Sequence, residues 1–372
     1  MELLFGYFLQ ITWQQVVMWC IGGVLIYLAI AKEMEPSLLL PMGFGAILVN
    51  LPLSGAITQG TEHGILSILY EATISNELLP LLLFIGIGAM IDFGPLLTNP
   101  KLLFFGAAAQ FGIYFTLCLA SLLGFPLRDA AAISIIGAAD GPTSIFVANY
   151  FNSQYISAII VAAYSYMALV PIVQPPVIRA LTTPAERRIR MDYNQRDIPK
   201  LVRILFPIVV TMVAGLVAPR SVALVGFLMF GNLIRECGVL NSLSETAQNV
   251  LANLVTILLG IVVSSGMVAD QFLKVETLVI IGLGLIAFVA DTAGGVLFAK
   301  VLNLFSKKKI NPMIGAAGIS AFPMSSRVIH KMGLKEDPQN FLLMHAAGAN
   351  VAGQIASVIA GGLVIKLIEN ML

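Results

Sequence analysis

Residues 129–148, DAAAISIIGAADGPTSIFVA, and residues 310–326, INPMIGAAGISAFPMSS, decide how this chain is read. Both are apolar but short, rich in Gly, Ala and Ser, and interrupted by Pro142 in the first and by Pro312 and Pro323 in the second. A soluble loop would be more polar, and a plain spanning helix would not be broken. Irregular backbone at membrane depth survives only where protein or a wet cavity satisfies its polar groups, so both segments read as broken re-entrant hairpins. The composition supplies the membrane: 58% of the 372 residues are hydrophobic, 11% are charged, and the mean hydropathy is +0.92. Around the hairpins, apolar runs near the ~20 residues a crossing needs lie at 16–31, 37–53, 76–92, 101–124, 156–178, 201–219, 221–235, 250–269, 276–299 and 341–368. The expected architecture is an all-α polytopic membrane protein of about ten transmembrane helices plus two hairpins.

The net charge of +1 leaves no basic footprint for nucleic acid. Cys20, Cys118 and Cys237 are scattered without CxxC spacing, which indicates neither a disulfide framework nor a thiolate metal site. The N-terminus, MELLFGYFLQITWQQ, lacks a basic leader and a cleavage site, and reads as an interfacial segment anchored by Trp13 and Trp19. Seven of the 21 Lys and Arg lie between Arg179 and Arg203 and seven between Lys300 and Lys335, while 54–75 has none, so both basic regions are expected in the cytoplasm.

A shift of 178 residues superposes Gly88 on Gly266, Asp92 on Asp270, Gly106 on Gly284, and Ile136-Gly137-Ala138-Ala139 on Ile314-Gly315-Ala316-Ala317. The expected organisation is a first repeat at 1–185, a basic connector at 186–200 and a second repeat at 201–372, each with five crossings and one hairpin. An odd number of crossings inverts the second copy, and inverted repeats bind ions where their broken segments meet.

Asp140 has Gly318 as its counterpart under this shift. A carboxylate needed only to build a hairpin would recur in both copies, and an acid at the bilayer centre costs about 2.5 to 3.5 kcal/mol, so Asp140 reads as functional. With Thr143 and Ser144 it offers hard oxygen ligands for an alkali cation, or a carboxyl for a proton. Asn311 is a cap or a ligand, Ser320 sits beside the second break, and Gly315 and Gly318 allow close backbone approach. Arg327 follows at the cytoplasmic mouth, where its planar fork either receives a carboxylate or anchors the chain by charge. Tyr164, Tyr166 and Asn350 are polar groups within spans, serving packing or the site. Asp291 is a second intramembrane carboxylate and site candidate, whereas Asp92 and Asp270 match each other at span ends and read as structural. His63, His330 and His345 have no metal spacing, GLGLIA from 282 sits inside a span, and no Walker, Ser-elbow or MKM motif occurs.

The segments GAADGPTSIF (137–146), VAAYSYMALVPIVQPP (161–176), NPMIGAAGISAFPMSSR (311–327) and FLLMHAAGANVAGQIAS (341–357) together resemble the beta subunit of biotin-dependent, sodium-pumping decarboxylases of oxaloacetate, methylmalonyl-CoA and glutaconyl-CoA, over nearly the whole chain. The resemblance implies a subunit that decarboxylates carboxybiotin carried by a partner, consumes a proton and exports sodium across the bacterial cytoplasmic membrane. It implies that Asp140, Tyr166 and Arg327 are catalytic, that Arg327 and Ser320 meet carboxybiotin, and that Asp140, Asn311, Gly315, Ser320 and Asn350 hold sodium. It also implies a carboxyltransferase subunit, a biotin carrier subunit and a small single-span membrane subunit as partners, with this chain as a homotrimer. The alternatives are a sodium-coupled secondary transporter of organic anions, which shares paired broken hairpins, and an ion channel.

Overall fold

The computed structural model describes residues 11–59, 63–192 and 197–371. Residues 1–10 of the expected interfacial segment and residues 193–196 of the basic connector lie outside the described residues. The regular elements among the described residues are all helices, which is how an apolar chain satisfies its own backbone where water cannot. The main ones are α1 (Trp13–Ala31), α2 (Pro36–Val49), α3 (Ile65–Thr73), α4 (Leu78–Met90), α5 (Pro100–Leu122), α6 (Leu127–Ser134), α7 (Gly141–Tyr150), α8 (Ile156–Leu181), α9 (Lys200–Val217), α10 (Val222–Cys237), α11 (Asn241–Gly266), α12 (Val275–Phe305), α13 (Met313–Ala316), α14 (Met324–Glu336) and α15 (Leu343–Glu369).

Seven of these, α1, α5, α8, α9, α11, α12 and α15, are long and apolar enough to cross a bilayer, and α3 with α4 makes an eighth if that pair, bent by 62°, counts as one span. The chain is a multi-pass membrane protein. All ten expected segments are helical, but α2 has 14 residues, α4 has 13 and α10 has 16. Fourteen residues rise only ~21 Å, short of a ~30 Å hydrocarbon core. The runs at 37–53 and 76–92 overestimate α2 and α4 because their ends belong to turns, whereas α10 is about as long as its own short run at 221–235. Asn50 stops α2: its Nδ2 donates to Ala46 O (2.7 Å) and Met267 O (2.8 Å), and its Oδ1 accepts from Ala269 N (2.8 Å).

Packing is reciprocal between the two halves of the chain. The α2 helix lies on α11 while α10 lies on α4; α8 lies on α12 while α15 lies on α5; α7 lies on α15 while α14 lies on α8. Small residues set the approach distances, as in other helix pairs that lack a hydrophobic driving force. Where α4 crosses α10, a Cβ on Gly88 would stand 1.8 Å from Leu228 O, and one on Gly231 would stand 2.1 Å from Ile85 O.

The two broken segments occupy the interior, and every residue of 129–148 and 311–321 is buried. In the first, α6 tightens into a 3-10 turn at Ile135–Ala138, Ala139 turns left-handed at φ 51°, and α7 starts beyond Asp140 with Pro142 in its first turn. Ser153 Oγ donates to Asp129 Oδ1 at 2.5 Å, which ties the open ends of the two arms together. In the second, α13 is one turn long, a loop follows, and Gln174 of α8 donates to both Ala316 O (2.7 Å) and Ser325 Oγ (2.8 Å), holding α13 against the start of α14.

Candidate functional site

Asp140 caps α7 and is 3% exposed. Its Oδ1 accepts from Thr143 N (3.3 Å), and its Oδ2 accepts from Thr143 Oγ1 (2.7 Å), Ser357 Oγ (2.8 Å) and Gln354 Nε2 (3.4 Å). Ser144 Oγ donates back to Asp140 O at 2.9 Å. These donors are all neutral, and none of the ion pairs among the described residues reaches Asp140. The α7 N-terminus adds its partial positive charge, the standard device for holding an anion without a cation. The cluster therefore accommodates an anionic carboxylate and leaves its charge available to a mobile cation.

The second hairpin meets the first at this point. Ser320 N donates to Ala138 O (3.1 Å), joining the two tips backbone to backbone. Ser320 Oγ donates to Gly353 O (3.1 Å), and Asn350 Nδ2 donates to Ile319 O (2.6 Å). One face of α15, Asn350 through Gln354 to Ser357, thus touches both tips. Asn350 Oδ1 and Gln110 Oε1 are buried acceptors without a donor among the described residues, while Gln110 Nε2 donates to Gly106 O (2.9 Å) and Gly318 O (3.5 Å). Orphan oxygens on residues that bond to the second hairpin's tip are hard donors of the kind an alkali cation takes.

The expected residues divide into three groups. Asp140, Ser320 and Asn350 converge at the hairpin tips. Gly315 builds the hairpin wall, because a Cβ there would stand 2.0 Å from Gly295 O on α12. Asn311 caps Met313 N (3.1 Å) and turns its amide to Arg187 O and Ile189 O (2.9 Å each), anchoring the basic connector away from the tips. Arg327 is exposed on α14 and makes none of the ion pairs seen among the described residues. Burial raises the carboxyl of Glu35 above its ordinary value, against the opposing pull of the Arg327 charge.

The two tyrosines separate, because two residues along a helix turn about 200°. Tyr166 Oη donates to Ile281 O of α12 at 2.5 Å, against Gly284. Tyr164, buried and with no partner for its hydroxyl among the described residues, is the one beside Asp140: a Cβ on Gly141 would stand 2.3 Å from its ring. Asp92 accepts from Gly94 N (2.8 Å), a turn role.

Sequence reasoning missed Gln354, Ser357 and Gln110. The first two had a signal, since Asn350, Gln354 and Ser357 fall at i, i+4 and i+7, one stripe in a stretch of helix from Ala346 to Ile365 otherwise built of small and apolar residues. Gln110 had only its isolation in LLFFGAAAQFGIYF.

Fold and site define a multi-pass membrane protein with a buried carboxylate in one broken segment, close to where a second broken segment touches it. Residues 14–368 match the family of the Na+-transporting oxaloacetate decarboxylase beta subunit, and the chain belongs to that family of membrane decarboxylases. It is 45% identical to the oxaloacetate decarboxylase beta chain of Klebsiella pneumoniae, over 96% of either chain. It is 49% identical to the methylmalonyl-CoA decarboxylase subunit beta of Veillonella parvula, covering 98% of this chain and 95% of that one, and 48% identical to that of Propionigenium modestum, covering 95% and 94%.

Proposed function

We propose that this chain decarboxylates carboxybiotin brought by a partner subunit and couples that reaction to sodium export, with a proton consumed. The observation that carries the reading is the Asp140 cluster, a charge-holding carboxylate surrounded by neutral donors where two broken hairpins touch. Cleaving the N–CO₂⁻ bond of carboxybiotin releases carbon dioxide, and the ring nitrogen takes up one proton. Arg327, exposed and in none of the ion pairs among the described residues, is suited to receive the carboxylate in a planar fork. Asp140, Ser320 and Asn350 are the proposed sodium ligands, and Asn311 and Gly315 serve that site by building the hairpin that carries Ser320. A proton replacing sodium at Asp140 then links the two processes, with Tyr166 proposed as relay by the resemblance and Tyr164 by its position. Moving one charge against 100 mV costs ~2.3 kcal/mol, a load a spontaneous decarboxylation can carry.

The same reading includes two inverted repeats, 1–185 and 201–372, joined by the connector 186–200; the reciprocal packing of corresponding helices supports it. It places the chain in the bacterial cytoplasmic membrane as a homotrimer with carboxyltransferase, biotin carrier and single-span subunits. The test is sodium flux into proteoliposomes holding the chain and its co-purifying subunits, started with a carboxylated biotin carrier while carbon dioxide is followed. Coupled uptake and release is the expected result. Release without sodium movement overturns the coupling, and sodium movement that needs only an organic anion makes the chain a secondary transporter.

A further inference from the structure

The 31 residues of α12 rise ~46 Å, more than the ~30 Å of a hydrocarbon core, and Lys300 marks the depth at which its last turns leave that core. A cavity of 750 Å³ lies there, between the end of α12 and the chain just after α8. Leu297, Val301 and Leu304 line it from α12 at i, i+4 and i+7, and Ala185 and Ile189 line it from the other side. Leu297 and Val301 are 49% exposed and Leu304 is 78% exposed, so the chain itself leaves this stripe uncovered. Acyl chains cover such a stripe anywhere along a spanning helix. The rim decides which lipid is preferred.

That rim is cationic. Residues 300–310 hold four lysines, Lys300, Lys307, Lys308 and Lys309, and no acid. Lys300 and Lys309 border the cavity directly, together with one acid, Glu186. Lys300 Nζ donates to Leu181 O (3.0 Å) and stands 3.2 Å from Glu186 Oε1, and Lys309 Nζ donates to Asn303 O. An ammonium has three N–H donors, so these bonds leave one on Lys300 and two on Lys309. Lys307 and Lys308 are exposed and enter none of the ion pairs among the described residues. Lysines that served only to orient the chain would need no apolar cavity beneath them.

We propose that this cavity binds an anionic phospholipid. One acyl chain lies along Leu297, Val301 and Leu304, Lys300 and Lys309 hold the phosphodiester, and Lys307 and Lys308 add attraction at longer range. The same place is the root of the second hairpin. Asn303 Nδ2 donates to Ile310 O and its Oδ1 accepts from Ile310 N, at 2.7 Å each, one residue before Asn311, whose amide reaches Arg187 O and Ile189 O. A lipid in the cavity therefore touches α12, the connector and the turn that launches the hairpin, and braces the three against one another. Such binding needs only the membrane-spanning fold, whatever ion the hairpins carry.

The experiment titrates phosphatidylglycerol with a photoreactive diazirine on one acyl chain into the purified complex in phosphatidylcholine nanodiscs, and locates the crosslinks by mass spectrometry. Labelling of the segment 297–304 is expected to saturate and to be displaced by unlabelled phosphatidylglycerol but not by added phosphatidylcholine. In Lys309→Gln the half-saturating amount is expected to rise about fivefold, and in Lys308→Gln with Lys309→Gln about twenty-five-fold, the weight of one and two lysines near a lipid surface. Val301→Trp fills the cavity and keeps every charge, and is expected to lose the saturable labelling. All three side chains are exposed, so the variants are expected to fold. Equal displacement by the two lipids overturns the proposal. Saturable labelling that survives in Val301→Trp means attraction by diffuse charge and overturns the cavity, and displacement by soluble glycerol phosphate as strong as by the lipid overturns the lipid as its occupant.

Discussion

The two broken hairpins share a frame and a tetrapeptide, Ile-Gly-Ala-Ala, yet four residues after the isoleucine one carries Asp140 and the other Gly318. Their surroundings explain the difference. Asp140 opens toward α15, where Gln354 and Ser357 donate to it. Gly318 is pressed between α5 and α15: a Cβ on it would stand 2.3 Å from Phe105 O, and its own carbonyl stands 2.1 Å from where a Cβ on Gly353 would be. The first hairpin holds the charge, and the second supplies backbone and a hydroxyl from the opposite side. Likeness of sequence builds two similar scaffolds, and the packing around one position in each decides which can bear chemistry.

The largest expected effect tests the charged side. Asp140→Asn keeps the volume and loses the charge and any proton it exchanges, so sodium-coupled turnover is expected to fall by ~10² or more, the usual scale for removing an acid–base group. Turnover near the unmutated level, measured as carbon dioxide release with sodium flux, would break the comparison at its centre. The next tests the glycine side. Gly318→Ala is expected to lower stability by about 1 to 3 kcal/mol through overpacking, read as a lower melting temperature in detergent; a neutral result would mean that steric room does not enforce the asymmetry.

The tyrosine pair sharpens the comparison further. Tyr166→Phe removes the bond to Ile281 O and is expected to cost about 1 kcal/mol of stability. Tyr164→Phe removes a hydroxyl with no partner among the described residues, so the melting temperature should hold while sodium binds roughly fivefold more weakly, the weight of one neutral hydrogen bond. Equal sodium affinity in both variants would separate Tyr164 from the ion.

The smallest effect concerns the connector clasping the second hairpin's far arm. Arg190 Nε and Asp337 Oδ2 stand 2.6 Å apart, and this bond, with the Gln339 N–H, holds the Asp337 carboxyl below the usual carboxylate range. At Glu186, burial pushes upward, but the Thr183 N–H and Lys300 outweigh it and leave the carboxyl lowered. Lowered values in the fold mean stability that is present above the ordinary carboxyl pKa of ~4 and lost as pH falls below it. Melting temperature should therefore be flat from neutral pH down to that point and decline slightly beyond it, since exposed pairs contribute little. A decline that begins well above it would point to other groups.

Much of this was written in the sequence. The apolar runs determined a helical membrane chain, because a backbone in hydrocarbon must pair with itself, and Pro and Gly marked both breaks. Asp140 was legible as a charge where charge is costly. Tertiary structure alone decided which helices reach full length, because Asn50 ends α2 by bonding to a chain segment more than two hundred residues away. It alone turned Tyr164 rather than Tyr166 toward Asp140, took Asn311 to the connector, and brought Gln110, Gln354 and Ser357 to the hairpin tips. Those outcomes depend on contacts between helices distant in the chain, and local pattern carries the period of a helix but not the identity of what it will face.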